Sequence, residues 1–450
     1  MAVVEAKRDG DSAAPERPRR PRWLLPAQIT GAAALVALTW YLVSTYGGHH
    51  RLFDLRIYRK AVRYWLAGGN VYDYWQEDVI NGTLGYTYPP FASILMAPMG
   101  ALPWDMAKWT HICAMVVCLA ITTYWLVTPL LRRHKIPLWL GLVVAGCFIV
   151  SVEPIRETLS FGQVNLMLIA LVLGDVLFLV RRKSSLAGIG IGLATAIKLT
   201  PGIFIVYLLV TRRWRAAAGS IVTAAAVSLL AVLVDPRMSI RFWLITAWDS
   251  GRVGHNDNTS NQSIAGLLAR IFDPAAYPQW LWIALVALVV VYGMWKAAKA
   301  VRAGDEIAGL TITGIVGILM SPVSWTHHIY WIVPALLIIL DVMRTDRRRM
   351  SRRRLWSYGG LALFAYLPFM YGFVWLFAEE PGKHWDHGFA WFLAENTYVF
   401  ALVALLLWMP VRKGVDDTDS RPGVWWPIPW KSGEPEKSAA APPAQPVASV

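Results

Sequence analysis

Charged residues are scarce in this sequence. Of its 450 residues, only 16% are Asp, Glu, Lys or Arg, whereas 56% are hydrophobic and 24 are Trp. A soluble protein of this length needs far more charge on its surface, so the composition excludes an ordinary soluble domain. It is typical of a helical protein that crosses a membrane several times.

Cysteine is also rare, and no motif supplies a set of metal ligands. The three cysteines, Cys113, Cys118 and Cys147, all lie inside apolar runs. Such positions favour small buried residues over disulfides or ligands. We therefore expect no disulfide framework, no bound metal and no other cofactor.

Acidic residues are outnumbered by basic ones, 29 to 43, which gives a formal net charge of +14. Such an excess can indicate a nucleic-acid-binding protein. Here, however, Lys and Arg cluster in short loops between apolar runs, and this distribution orients helices in a membrane. We therefore expect a lipid bilayer and no nucleic acid as partner, and a monomeric protein.

The apolar runs predict an all-α polytopic membrane protein with about 10–12 transmembrane helices. A span takes roughly 20 mostly apolar residues, and its backbone groups must bond within the helix because lipid offers them no partner. The clear candidates are 27–46, 108–130, 136–152, 164–180, 216–234, 280–300, 306–320, 328–342, 355–377 and 391–411. Two further runs are expected to be broken or re-entrant: 89–103 is short and bracketed by prolines, and 186–211 is interrupted by Lys198 and Pro201.

The Lys and Arg clusters orient these spans. They fall on one side, which is then cytoplasmic, and both termini lie on that side. Residues 1–25 are expected to form a disordered basic tail and residues 413–450 a Pro-rich disordered tail, with a transmembrane domain over 26–412. Most carboxylate, imidazole and amide groups fall on the opposite face, chiefly in a first external loop at 47–88 and a large one at 235–278.

The first external loop contains FDLRIYRKAV, residues 53–62. The spacing of Leu55, Tyr58 and Val62 predicts an amphipathic helix on the outer membrane surface. By periodicity alone this helix is an interfacial anchor that begins with an acid, Asp54. The following GYTYPPF carries two prolines, which make the chain rigid where it re-enters the membrane. An acid, several cations and a rigid aromatic turn also suit a lipid-linked phosphate, with the carboxylate placed to deprotonate a hydroxyl.

Six short motifs occur in order along the chain: FDLRIYRKAV, TYPPF, FGQVN, IKLTP, NQS and SPVSWTHH. Together they resemble glycosyltransferase family 87, a group of C-type integral membrane glycosyltransferases. The resemblance implies the C-type glycosyltransferase fold and a polyprenyl-phosphate-mannose donor. Because the donor in such enzymes is β-linked and the product α-linked, it also implies inversion, with an Asp of the first external loop, here Asp54, as the catalytic base.

Two groups of binding residues are expected around this base. The expected donor-binding residues are His327, His328, Lys198, Arg56, Arg59 and Tyr88. The expected acceptor-binding residues are Glu153, Gln163, Asn165, His255, Asn258 and Gln262. Structural roles stay open for several of them. Adjacent histidines on a helix point about 100° apart, so only one is expected to face a cavity, while Lys198 can be a snorkelling cation and the polar loop 255–263 a set of turns.

The predicted activity is therefore an inverting α-mannosyltransferase. It would add α-1,2-mannose from polyprenyl-phosphate-mannose to a phosphatidylinositol mannoside at the plasma membrane, with its active site on the extracytoplasmic face. Lipomannan branching or arabinofuranosyl transfer would use the same residues. A glycolipid flippase is the alternative from another class, but it should carry polar groups along a full crossing path, whereas here they concentrate on one face.

Overall fold

The computed structural model describes residues 23–46, 50–78, 82–380 and 382–416. The tails predicted at 1–25 and 413–450 therefore lie largely outside the described residues. At the C-terminal side the described chain continues to Asp416, whose Oδ1 pairs with Arg181 at 3.3 Å.

Helices dominate the described chain. They are α1 (Leu24–Tyr46), α2 (Phe53–Leu66), α3 (Pro90–Ala101), α4 (Trp104–Arg133), α5 (Leu138–Ser151), α6 (Glu153–Phe161), α7 (Asn165–Gly174), α8 (Ile189–Ile197), α9 (Ile203–Val210), α10 (Trp214–Val234), α11 (Pro236–Leu244), α12 (Ile264–Phe272), α13 (Gln279–Arg302), α14 (Glu306–Met320), α15 (Ile332–Thr345), α16 (Arg352–Tyr371), α17 (Phe389–Glu395) and α18 (Thr397–Trp408). Strands β1 (Trp75–Asp78) and β2 (Gly82–Gly85) form an antiparallel hairpin in the first predicted loop.

Several of these helices are suited to a membrane. By length and composition, α1, α4, α10 and α13 can each cross a bilayer. Two bent pairs add to them: α5 and α6 meet at 74°, and α17 and α18 at 64°. Shorter apolar helices include α3 and α14. The prediction of a predominantly helical, multi-pass membrane protein with broken helices is confirmed, but by length and composition the described residues contain four to six candidate spans rather than 10–12.

The interruptions predicted at 89–103 and 186–211 are present. α3 has only 12 residues. α8 ends before Lys198, whose backbone is extended (φ −148°, ψ 131°), and a 3₁₀ turn at Thr200–Gly202 leads into α9. Lys198 therefore lies at a gap between two short helices.

The run 355–377, predicted as one span, ends early. α16 stops at Tyr371 because Gly372 takes the left-handed conformation (φ 65°) that commonly ends helices. The remaining residues, Phe373–Phe377, form a 3₁₀ turn. This turn, which we call the tryptophan turn after Trp375, lies beside the candidate site instead of continuing through the membrane.

The start of α2 is held by α6. The backbone N–H of Leu52 donates to the Ser160 carbonyl at 2.8 Å, and that of His50 donates to Ser160 Oγ at 2.9 Å. The buried residues of α2 are Leu55, Ile57, Tyr58, Ala61 and Val62. The predicted amphipathic helix is thus present, but most of its apolar face packs inside the protein, with α3 as its main neighbour.

Candidate active site

A cavity of about 540 Å³ lies between α2, α6, the tryptophan turn and a 3₁₀ turn at Thr326–His328, the histidine turn. Its volume is typical of small-ligand sites, which hold about 300–1,000 Å³. Five predicted site residues line it: Asp54, Glu153, Gln163, Asn258 and His327. We call it the Asp54 cavity.

Gln163 holds the carboxylate of Asp54. Its Nε2 donates to Asp54 Oδ2 at 2.5 Å. Its Oε1 accepts from the hydroxyls of Tyr58 at 2.8 Å and Tyr88 at 3.0 Å. Two hydroxyl donors on the amide oxygen fix the amide so that its NH₂ faces the acid. Gln163, predicted to bind the acceptor, is therefore placed to position Asp54. Tyr88 contributes to the site through its hydrogen bond to Gln163.

The FGQVN motif needs its glycine for this arrangement. Gly162 ends α6 in the left-handed conformation with φ 72°. A Cβ built there would lie 2.8 Å from the Cβ of Leu55 on α2. Glycine alone adopts this conformation without strain, so it lets α2 close onto α6 and brings Gln163 to Asp54.

Burial raises the pKa of Asp54 from its ordinary 3.8 to about 6. The hydrogen bond from Gln163 and the charges of Lys198 and His50 lower this pKa, whereas the charge of Asp78 raises it. The group is therefore ionised at neutral pH but more basic than an exposed aspartate. A carboxylate with these properties suits a general base, whose pKa should lie near the working pH.

A second cluster adjoins the Asp54 cavity. Lys198 Nζ donates to Asn165 Oδ1 at 3.1 Å and lies 2.9 Å from His328 Nε2. Asn165 Nδ2 and Thr158 Oγ1 each donate to the His327 carbonyl at 3.0 Å. These bonds fix the histidine turn against α6 and α7. Asn165, predicted on the acceptor side, therefore belongs with Lys198 and His328.

The protonation of His328 makes this cluster suitable for an anion. Its Nδ1 accepts from the Trp325 N–H at 3.2 Å, so the proton of the neutral ring is on Nε2. Burial and the charge of Lys198 hold the pKa of His328 well below 6.5, so the ring is neutral at pH 7. The Nε2–H and the Lys198 ammonium are then two adjacent donors that cannot bond to each other, and an anionic oxygen in contact with both would satisfy them.

Each of the two histidines lines a different cavity. His327 faces the Asp54 cavity, where its buried Nε2 has no hydrogen-bond partner among the described residues. His328 faces Lys198, and the two rings cross at 84°. The expectation that only one histidine faces a cavity is therefore wrong, because the short 3₁₀ turn lies between two cavities rather than on a single buried helix face.

A narrow apolar slot leads away from Lys198 and His328. Its walls include Ile169, Phe204 and Trp331, and it holds about 70 Å³. A polar end that suits an anion thus continues into an apolar path, which is the arrangement expected for an amphiphilic ligand.

Aromatic residues line the Asp54 cavity as well. Trp325, Tyr371 and Trp375 contribute to its wall. Glu153 accepts from Trp375 Nε1 at 2.6 Å and from the Tyr398 hydroxyl. Because both contacts hold the carboxylate, Glu153 is placed to orient the Trp375 ring rather than to bind a ligand by itself.

Gln262, predicted to bind the acceptor, cannot do so. It is fully buried. Its Nε2 donates to the carbonyls of Thr259 and Glu395, at 2.7 and 2.9 Å, and its Oε1 accepts from the Val399 N–H at 3.1 Å. The whole amide is therefore used to hold the loop against α17 and α18, and this part of the prediction is wrong.

The rest of the polar loop 255–263 has a mainly structural role. Asn261 Oδ1 accepts from the Ser324 N–H at 2.9 Å, which ties the loop to SPVSWTHH. Asn258 lines the Asp54 cavity, whereas His255 is exposed and does not line it. Of the three residues predicted from this loop, the structure brings only Asn258 to the site.

Arg56 and Arg59 do not reach the site either. A helix turns about 100° per residue, so they point about 160° and 140° away from Asp54. Their guanidinium groups lie over the Trp104 ring, 5.3 and 6.0 Å from its centre. Their predicted donor-binding role is therefore wrong. Arg156 instead lines the Asp54 cavity, and Lys198 lines the adjoining slot.

The sequence pattern missed several cavity residues. His50 stacks on Phe161 with ring centres 3.7 Å apart, and its Nε2 lies 2.6 Å from Glu157 Oε2. Its position three residues before FDLR was the available signal. Trp375 was hidden inside a predicted span. In the described residues, no group of three or more His, Cys, Asp or Glu is arranged to hold a metal ion.

Curated proteins are similar to this chain over most of its length. A polyprenol-phosphate-mannose-dependent α-(1-2)-phosphatidylinositol mannoside mannosyltransferase of Mycobacterium tuberculosis is 31% identical, covering 78% of this chain and 83% of the relative. A corresponding phosphatidylinositol pentamannoside mannosyltransferase of the same species is 28% identical, with 85% and 88% covered. An α-(1→3)-arabinofuranosyltransferase of that species is 26% identical, with 66% and 67% covered.

Among solved structures, ArnT from Cupriavidus metallidurans bound to undecaprenyl phosphate aligns with 85% of this chain and 76% of its own. Its identity of 16% and TM-score of 0.36 are too low to support an argument. The sequence model of glycosyltransferase family 87, in contrast, matches residues 86–322, more than half of the chain. The chain therefore belongs to glycosyltransferase family 87 and is a membrane glycosyltransferase.

Proposed function

We propose that this protein transfers mannose from polyprenyl-phosphate-mannose to a phosphatidylinositol mannoside. The new bond is α-1,2, the anomeric carbon is inverted, and the site faces the extracytoplasmic side. One observation carries the proposal: a basic carboxylate, Asp54, lies in a cavity next to an anion site, Lys198 with His328, that opens into an apolar slot. The names of the two mannosyltransferase relatives support the same donor and acceptor.

The donor phosphate binds at Lys198 and His328. Its charge grows as the bond to mannose breaks, and two fixed donors at that point stabilise it. The first prenyl units enter the slot beyond Phe204. Because the slot holds only about 70 Å³, its walls must separate as the chain enters.

The acceptor hydroxyl is deprotonated by Asp54. As its oxygen bonds to the anomeric carbon, the proton passes to the carboxylate and the electron pair of the old C–O bond goes to the phosphate. A single displacement of this kind inverts the configuration. No strong acid is required, since polyprenyl phosphate, a phosphate monoester, leaves as a stable anion. The free Nε2 of His327 faces this cavity and binds the transferring sugar.

Replacing Gln163 with Leu is expected to shift the pH dependence of transfer. Because the Gln163 hydrogen bond lowers the pKa of Asp54, its loss raises that pKa above about 6 and the base is then ionised only at higher pH. Wild-type kcat/KM should fall as the pH drops through about 6, and the variant should fall at a higher pH.

The measurement is kcat/KM against pH for wild type, Gln163→Leu and Gln76→Leu. Gln76 lies on β1 and bonds to Lys60 and Tyr74, away from the Asp54 cavity. Its variant should keep the wild-type profile. A Gln163→Leu profile with the same midpoint as wild type would contradict the assigned contact.

Replacing Trp375 with Ala is expected to weaken acceptor binding selectively. An indole face held by Glu153 gives the apolar face of a sugar ring a surface on which to pack. The acceptor KM should rise roughly tenfold, as for loss of a buried aromatic contact worth about 1–2 kcal/mol, while the donor KM stays unchanged. Trp356→Ala, at an exposed position of α16, is the control. Equal changes in both KM values would contradict an acceptor wall.

The overall proposal is tested with purified protein in nanodiscs. Polyprenyl-phosphate-mannose and a polyprenyl-phosphate arabinofuranose donor are each combined with phosphatidylinositol mannosides of increasing mannose number. Mannose transfer to one of these lipids is the expected result. Arabinose transfer instead would identify the sister activity, and movement of a labelled lipid across the bilayer of proteoliposomes without transfer would favour a flippase.

A further inference from the structure

The face of α2 that points away from Asp54 carries a basic cleft. Its walls are Arg59, Arg63 and Leu66 on α2 with Ala67 just after it, and residues 100–103 at the end of α3 and in the link to α4. We call it the arginine cleft. Arg63 lies about 180° around the helix from Asp54 and about 14 Å along it, so the cleft is separate from the Asp54 cavity.

One arginine of the cleft is held in place without being neutralised. Arg59 Nη2 donates to the Leu102 carbonyl at 2.6 Å, and its guanidinium lies over Trp104. Its Nε is buried and has no hydrogen-bond partner among the described residues. Burial and the charge of Arg63 lower the pKa of Arg59. Two cations therefore converge where a carbonyl and an aromatic ring compensate only part of their charge.

The acid that follows residues 100–103 in sequence does not supply the missing charge. Asp105 follows Trp104 directly, but it pairs with Lys108 at 3.2 Å, and its side chain is 79% exposed. An anion from outside the chain would be the natural partner of the two arginines, because charge-assisted hydrogen bonds to phosphate are among the strongest that arginine makes.

Exposed apolar residues of α2 and of the two helices that residues 100–103 connect indicate where that anion comes from. Leu66, Leu95, Met106 and Trp109 are each more than half exposed. Exposed residues of this kind, on and beside a helix that can span a membrane, are expected to contact lipid tails. A pair of cations at the edge of such a surface matches the position of phospholipid headgroups.

We propose that the arginine cleft binds the phosphate of an anionic phospholipid headgroup, with the lipid tails along Leu95 and Met106. Arg63 and the free Nε of Arg59 hold the phosphate oxygens. The tails extend into the bilayer beside α3 and α4. This site is independent of the transferase reaction and of the identity of its donor and acceptor.

The proposal is tested by native mass spectrometry of the delipidated full-length protein. Short-chain phosphatidylglycerol, short-chain phosphatidylcholine and inorganic phosphate are added separately. We expect phosphatidylglycerol to be retained at several-fold higher occupancy than phosphatidylcholine. Arg63→Gln should lower its affinity about fivefold, the effect of one surface cation near a membrane, and Arg59→Gln with Arg63→Gln should lower it further.

Lys60→Gln is the matched control. It removes one cation from the same helix, but Lys60 is exposed and bonds to Gln76 rather than lining the cleft. Its phosphatidylglycerol affinity should equal that of wild type. Equal loss in Lys60→Gln and Arg63→Gln, equal retention of phosphatidylcholine, or competition by inorganic phosphate at similar concentration would each overturn the proposal. Because Arg63 is exposed, Arg63→Gln alone decides the outcome if the double variant does not fold.

Discussion

Asp54→Asn is expected to reduce mannose transfer by at least 10²–10⁴-fold, the usual contribution of a general base. Asn keeps the size of the side chain and can still face Gln163, but it cannot accept a proton from the acceptor hydroxyl. Donor binding should remain, because Lys198 and His328 are untouched. The measurement combines initial rates with binding of polyprenyl phosphate to the same variant.

The same variant should be as stable as wild type or more stable. The pKa of Asp54 is about 6 when folded and 3.8 as an ordinary value, so protonation favours the folded state. That contribution is fully present below about pH 3.8 and is lost as the pH rises through about 6. At neutral pH the charged carboxylate therefore costs stability, and Asn removes this cost.

Asp105→Asn is the control for this experiment, because it removes an exposed carboxylate from α4 that takes no part in the cavity. It should retain wild-type transfer. Near-normal activity in Asp54→Asn would require another base. A stable, donor-binding but inactive Asp54→Asn protein is the result that supports the assignment.

Lys198→Met is expected to have the second-largest effect. The change removes one of the two donors for the leaving phosphate, and loss of such a preorganised group typically lowers kcat by about 10²–10³-fold. The affinity for polyprenyl phosphate, the leaving group, should fall at least tenfold, whereas the acceptor KM should stay near its wild-type value. Inhibition by added polyprenyl phosphate measures the change in its affinity directly.

Lys299→Met serves as its control. Lys299 is an exposed cation on α13 that lies over Trp295. Its loss should leave the inhibition constant for polyprenyl phosphate unchanged. Unchanged inhibition in Lys198→Met would show that Lys198 is a structural cation at the gap between α8 and α9, and would contradict its place at the donor phosphate.

The sequence correctly predicted the apolar helices and the points at which they are interrupted. Apolar length predicted the helices, and Lys198 with Pro201 marked the gap between α8 and α9, because neither a cation nor proline suits the middle of a span. The resemblance carried by the ordered motifs assigned Asp54, Gln163 and His327 to one site, and the structure brings these three residues to one cavity.

Composition could not predict in which direction a side chain points or which residues it contacts. Arg56 and Arg59 stand two and five residues after Asp54, yet the helix turns them away from it. Gln262 has the chemistry of a sugar-binding residue, but its contacts are to α17 and α18, far along the chain. Trp375 belongs to an apolar run whose length suggested a span, and only the left-handed Gly372 turns it toward the cavity. The failures at Gln262 and Trp375 concern long-range contacts that local pattern does not encode, whereas the direction of Arg56 and Arg59 follows from helix periodicity.

The configuration of the product most directly tests whether Asp54 is the base of an inverting displacement. Wild-type protein in nanodiscs is supplied with β-linked polyprenyl-phosphate-mannose and a phosphatidylinositol mannoside, and the new linkage is assigned by NMR of the purified glycolipid. We expect one added mannose in an α-1,2 linkage, because a single displacement at the β-linked anomeric carbon inverts its configuration. A β-linked product would contradict the assignment of Asp54 as the base of a direct displacement, and so would the absence of transfer by folded protein.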